Sequence, residues 1–165
     1  MDAIRLCKTI LVAAIAFLFS LFAFGNVTDY GSNWQFVQHV LSMDTTFPDS
    51  TLKWRAITNP DLQTAGYWAI IGWEALTALV LWIGAVQLLT ARDAAAFDAA
   101  KPTSVVGLTM GLVLYGIGFV AVGGEWFAMW QSDIWNGETK AFQFIGFIGL
   151  VLVVLLIRER SETTR

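Results

Sequence analysis

The sequence predicts an all-α integral membrane protein: a four-helix bundle with short amphipathic helices in its first outer loop. Two observations predict it. Of 165 residues, 56% are hydrophobic and only 14% charged, whereas a soluble chain carries about a quarter charged residues. Four apolar runs, at about 9–25, 67–89, 104–124 and 141–157, are long enough to cross a hydrocarbon core of roughly 30 Å as helices. Each is free of charge except the second, which holds Glu74. Backbone amides in lipid must pair internally, and the chain lacks the alternating strands of a barrel, so helices are expected in one membrane domain spanning 1–165.

Orientation follows from the basic residues that flank the runs. Arg5, Lys8, Arg92, Lys101, Arg158, Arg160 and Arg165 fall on one side, against Lys53, Arg55 and Lys140 on the other. This places both termini and the loop 90–103 in the cytoplasm of a bacterial inner membrane, and the segments 26–66 and 125–140 outside. Arg5 and Lys8, an apolar run and Ala23-Phe24-Gly25 also imitate a cleavable secretory signal. The uncleaved first helix is the expected form. The triplet Asn26-Val27-Thr28 fits a glycosylation sequon but lies too near the membrane for that use.

In the outer segment, Trp34, Phe36, Val37, Val40, Leu41 and Met43 share one side of a helical wheel, opposite Gln35, Gln38, His39 and Ser42. This predicts an amphipathic helix over 33–43, with Trp34, Val37 and Leu41 buried and Gln38 and Ser42 exposed. Phe47-Pro48-Asp49-Ser50 reads as a turn into a second short helix through Trp54 and Arg55. Asn59-Pro60-Asp61 combines a capping residue, a proline at the first helical position and an acid at the positive end of the dipole. The second membrane helix therefore starts at Pro60.

In that helix Glu74 lies seven residues, or about 10 Å, inside the Tyr67–Trp68 interface pair. A carboxyl at this depth is costly and must face the bundle, followed on the same face by Thr77, Leu81, Gly84 and Leu88. In the third, Gly107, Gly111, Tyr115, Gly118, Val122 and Glu125 recur at four and three residues and form a close-packing seam. Gly146 and Gly149 offer a weaker seam in the fourth.

Six of eight tryptophans, Trp34, Trp54, Trp68, Trp126, Trp130 and Trp135, map to the outer half. An aromatic belt explains most of them. The run Glu125-Trp126-Phe127-Ala128-Met129-Trp130-Gln131 is denser than a belt requires and puts Trp126 and Trp130 on one helical face. Trp34, Trp54, Trp126, Trp130 and Trp135 form the candidate partner surface. Glu74, Glu125, Arg55 and Lys140 form the candidate buried polar site, with a basic or hydroxyl group expected to bond Glu74.

A net charge of −3 offers no basic surface for nucleic acid. The single cysteine, Cys7, cannot supply the paired outer thiols of a disulfide oxidase, and the single histidine, His39, cannot supply a bis-histidine haem or a zinc cluster. No cofactor, metal or catalytic residue is expected.

The chain resembles the bacterial family of predicted small integral membrane proteins of unassigned function. The resemblance rests on Asp44-Thr45-Thr46-Phe47-Pro48, Trp54-Arg55, Trp73-Glu74 and Gly123-Gly124-Glu125-Trp126-Phe127-Ala128-Met129-Trp130-Gln131. It implies four membrane helices and transfers no activity. Three functions fit: an accessory or assembly subunit of a larger membrane complex, a small transporter or channel using Glu74, and an enzyme or lipid-binding protein using the outer acidic and aromatic patch. The first is the reading adopted, with lipid and other membrane subunits, or copies of the same chain, as partners. No internal repeat or mid-helix proline suggests a pore within one chain.

Overall fold

The computed structural model describes residues 2–159. Arg160 and Arg165, counted above for orientation, lie outside the described residues. Helix α1 covers Ala3–Thr28, α2 Tyr30–Ser42, α3 Pro60–Thr90, α4 Ala94–Val113 and α5 Glu138–Leu156. Beyond Val113 the α4 chain continues as a π-helix over Leu114–Trp126. Short 3-10 turns stand at Lys53–Arg55 and Met129–Gln131. Helices α1, α3, α4 with its π extension, and α5 are each long and apolar enough to span a membrane.

The helix starts are set by side-chain caps. Asp2 accepts from the Arg5 backbone N–H at 2.9 Å, which, with the Arg5 guanidinium, holds the Asp2 carboxyl below its ordinary value. Asn59 accepts from Asp61 N at 2.8 Å with Pro60 at the first helical position, so α3 starts where the sequence signals it. Asp93 accepts from Ala96 N at 2.8 Å and starts α4 ten residues before the expected span. The connection at this end is therefore Ala91–Asp93 rather than 90–103. Pro102 lies inside the helix, contrary to the expectation of no mid-helix proline; Pro102 has no N–H to donate.

The core runs along the inner faces of all four spans. Val12, Ile15, Ala16 and Phe19 of α1, Leu81 and Leu88 of α3, Phe97 and Leu108 of α4, and Ile148 of α5 are fully buried. The first helix is thus a structural member of the bundle. Glu74, Thr77, Leu81, Gly84 and Leu88 are all buried, as their spacing on one face of α3 predicts.

Glycines decide where helices touch. A Cβ on Gly84 would lie 2.8 Å from the Ser104 backbone nitrogen, one on Gly107 2.7 Å from the Leu81 side chain, and one on Gly111 2.9 Å from the Phe19 ring. The seam expected on the third span holds through Tyr115 and then fails: Gly118 and Glu125 are exposed and Val122 is 43% exposed. The π-helix is the reason. Its hydrogen bonds span five residues, as in Phe127 N to Val122 O at 3.0 Å, so each turn takes in more residues and rotates the later ones off the seam. The expected seam at Gly146 and Gly149 is not used within the bundle, since a Cβ on either meets nothing within 4 Å.

Helix α2 caps the end of the bundle distal to the start of α1 and the end of α5. Val37 and Val40 are buried, while Trp34 and Leu41 are half-buried. Gln38 and Ser42 are half-buried too, not exposed; on this polar side Trp135 stacks on His39 at 4.7 Å. Met43 and Ala128 both adopt left-handed backbone, each with φ 52°, and meet in one small core with Val40, Phe127 and Met129.

Candidate functional site

Glu74 faces the bundle and is 4% exposed. Its partner is an amide, not the basic or hydroxyl group expected: Asn26 Nδ2 donates to Glu74 Oε2 at 2.7 Å. Asn26 is aimed in turn by Tyr67, whose hydroxyl donates to the Asn26 main-chain carbonyl at 2.9 Å and stands 3.2 Å from Oδ1. Tyr67 is itself 1% exposed and packs on Tyr30 with ring centroids 4.9 Å apart. A relay Tyr67–Asn26–Glu74 thereby ties α1 to α3. The other carboxyl oxygen, Oε1, bonds nothing among the described residues.

Glu74 lines a cavity of about 530 Å³ between α1, α2, α3, the π segment and the start of α5 with the chain just before it. Its walls include Phe22, Tyr67, Tyr115, Phe119 and Phe144, and Lys140 stands on its rim. Tyr115 and Phe144 approach to 4.8 Å and Tyr115 and Phe119 to 5.4 Å, giving an almost continuous ring surface. A second cavity, of about 230 Å³, lies under α2 and is lined by apolar residues and glycines, among them Val37, Leu114 and Met129.

The four candidate polar residues divide between two places. Glu74 and Lys140 share the cavity, Glu74 deep and Lys140 exposed. Glu125, expected to be buried beside Glu74, is exposed, carried outward by the π winding. Arg55 contacts Glu125 through the main chain: its Nη1 donates to the carbonyls of Glu125 at 3.4 Å and Trp126 at 3.2 Å. The Arg55 guanidinium lies 4.7 Å from the Trp126 ring centroid and 5.4 Å from that of Trp54, and the two indoles meet edge to face at 5.9 Å.

The aromatic residues also separate. Trp126 and Trp130 do not share a helical face, because the π-helix ends at Trp126 and the left-handed Ala128 separates it from the 3-10 turn that carries Trp130. Trp126 packs on Trp54, Trp130 packs on Phe47 at 5.7 Å, and Trp135 stacks on His39 at 4.7 Å. Trp34 Nε1 donates to Thr64 Oγ1 at 3.3 Å.

At the opposite end lies a polar cluster that the sequence reading missed. Lys8 Nζ donates to Ile157 O at 2.6 Å and pairs with Glu159 at 2.5 Å. Lys101 Nζ donates to the same carbonyl at 2.7 Å and pairs with Asp98 at 2.6 Å and Glu159 at 3.4 Å. The side chains of Lys8, Lys101 and Glu159 are 4%, 8% and 6% exposed. The start of α1, the start of α4 and the chain just after α5 are therefore joined by two cations and two anions at one end of the bundle.

Residues 4–158 match the family described as predicted small integral membrane protein (DUF2165). The chain belongs to that family. No curated protein and no solved structure gives a match. Membership of DUF2165 agrees with the four apolar helices and brings no reaction with it.

Proposed function

We propose that this DUF2165 protein is an accessory or assembly subunit of a larger complex in the bacterial inner membrane, with no chemistry of its own. In this reading both termini are cytoplasmic and the capped end, with α2, faces outside, as the distribution of basic flanks supports. The observation that carries the reading is the platform of Trp54, Arg55 and Trp126. Trp54 is 72% exposed and Trp126 47% exposed, yet both are fixed by the guanidinium between them and its bonds to two carbonyls. Indoles of a simple belt need no such mutual clamping. Rigid Trp and Arg side chains are the residues that dominate protein interfaces, because they bury large areas at little entropic cost.

The alternative is a small transporter or channel using Glu74. The cavity beside Glu74 favours it. Against it, a layer of fully buried apolar side chains, Val12, Ile15, Phe19, Leu81 and Ile148, lies between that cavity and the other end.

Purification in mild detergent at native expression, with mass spectrometry of co-purifying chains, tests the choice. A stoichiometric membrane partner is expected for the wild type, and its recovery should fall about tenfold or more in a Trp54→Ala/Trp126→Ala variant, the loss of two interface anchors. Recovery of the chain alone, or of the same partner with both proteins, would overturn the accessory reading.

A further inference from the structure

We propose that the cavity beside Glu74 binds an organic cation with an apolar body, its ammonium seated against Glu74 and its body against the surrounding rings. The site does not depend on the accessory reading, which rests on the platform formed by Arg55.

Four features of the cavity converge on this ligand. Its volume of about 530 Å³ lies in the range of small-molecule sites. Its one buried carboxyl group is that of Glu74, whose Oε2 is held by Asn26, so that the carboxyl is oriented in advance. Glu74 is 96% buried while its Oε1 has no partner among the described residues, leaving one acceptor turned to the cavity. Tyr115, Phe119 and Phe144 line it with aromatic rings, and a ring that turns its face to a desolvated cation attracts it through the ring quadrupole.

The relay explains why a cation fits better than a neutral donor. Tyr67 fixes Asn26, and Asn26 already donates to Glu74 Oε2, so one oxygen of the carboxyl is supplied with a neutral donor and the other is open to an entering cation. A carboxylate in a membrane bundle is costly without an opposite charge, and an entering ammonium supplies it. Lys140 stands exposed on the rim, where water screens its repulsion of the ligand. It does not pair with Glu74 in the structure.

The test uses 2-phenylethylammonium and, as a neutral control of similar shape, 2-phenylethanol. Equilibrium dialysis is run on the full-length protein in an uncharged detergent, with protein-free micelles subtracted. Saturable binding of one cation per chain is expected, at least about tenfold tighter than the alcohol, the discrimination that about 1.4 kcal/mol gives. Glu74→Gln should weaken the cation about tenfold while leaving the alcohol unchanged. Lys140→Gln, at an exposed position, should tighten the cation about twofold, the scale of a screened surface charge. Equal binding of cation and alcohol by the wild type would overturn the proposal, and so would undiminished cation binding by a folded Glu74→Gln. Should Glu74→Gln not fold, an unaltered or weaker cation affinity in Lys140→Gln would count against it.

Discussion

Replacing Gly84 by leucine is expected to prevent accumulation of the folded protein, the largest effect of any single substitution considered. A Cβ at this position would meet the Ser104 hydroxyl at once and lie 2.8 Å from its backbone nitrogen and 3.0 Å from its Cα. The backbone of α4 cannot rotate aside as a side-chain tip can, so α3 and α4 must separate. Gly84→Ala alone should cost about 1–3 kcal/mol, the usual range for overpacking. Ser104→Gly should restore only part of that loss, because it removes the hydroxyl and leaves the backbone contact. Gly146→Ala and Gly149→Ala serve as controls and should leave the melting temperature in detergent unchanged, since neither Cβ meets a neighbour. Equal tolerance of alanine at positions 84, 146 and 149 would mean that α3 and α4 are not in this close contact.

The second large effect concerns the buried ion cluster at the other end. Lys8, Lys101, Asp98 and Glu159 together balance to zero charge, with the Ile157 carbonyl accepting from both lysines. Among the described residues, Glu159→Ala leaves the two ammonium groups with the partly exposed Asp98 alone to offset them. Breaking a buried pair in this way costs about 3–5 kcal/mol, because an uncompensated charge remains. Lys8→Met in the same chain removes the excess charge, so the double variant should recover most of the lost stability. Thermal melts of the two single variants and the double variant measure the coupling. Additive losses would show that Lys8 and Glu159 do not share one site.

How much of this could be read from the sequence depends on whether local signals compete. Apolar length located the four spans, and the Asn59-Pro60-Asp61 cap located the start of α3. The face of Glu74 followed from helical spacing alone, because α3 is a regular helix throughout. The α4 chain was less legible. Asp93 before an alanine-rich stretch is a start signal, but Pro102 and the charges around it read as a loop between spans. Past Val113 the glycine pattern assumed 3.6 residues per turn, and the π winding removed Glu125 from the site that this period predicts.

Asn26 was visible only as part of a chance sequon, although a polar residue just beyond the apolar run of α1 is also a natural partner for an acid in the next span. The lysines of the ion cluster entered only as orientation signals. Their acid partner, Glu159, lies 151 residues from Lys8, and no local pattern connects them. Ala128 was hidden because nothing in its residue type announces left-handed backbone.

All these assignments rest on one arrangement: the start of α1 and the end of α5 at the face of the ion cluster, and α2 at the face of the aromatic platform. Cysteine accessibility measures it directly, since Cys7 is the only native cysteine and Cys7→Ser gives a clean background. Single cysteines at Ser50, Ala91 and Arg165 would be labelled in intact cells with a membrane-impermeant maleimide and again after permeabilisation. The account predicts labelling of position 50 in intact cells, and of positions 91 and 165 only after permeabilisation. Labelling of position 165 together with position 50 in intact cells would contradict it.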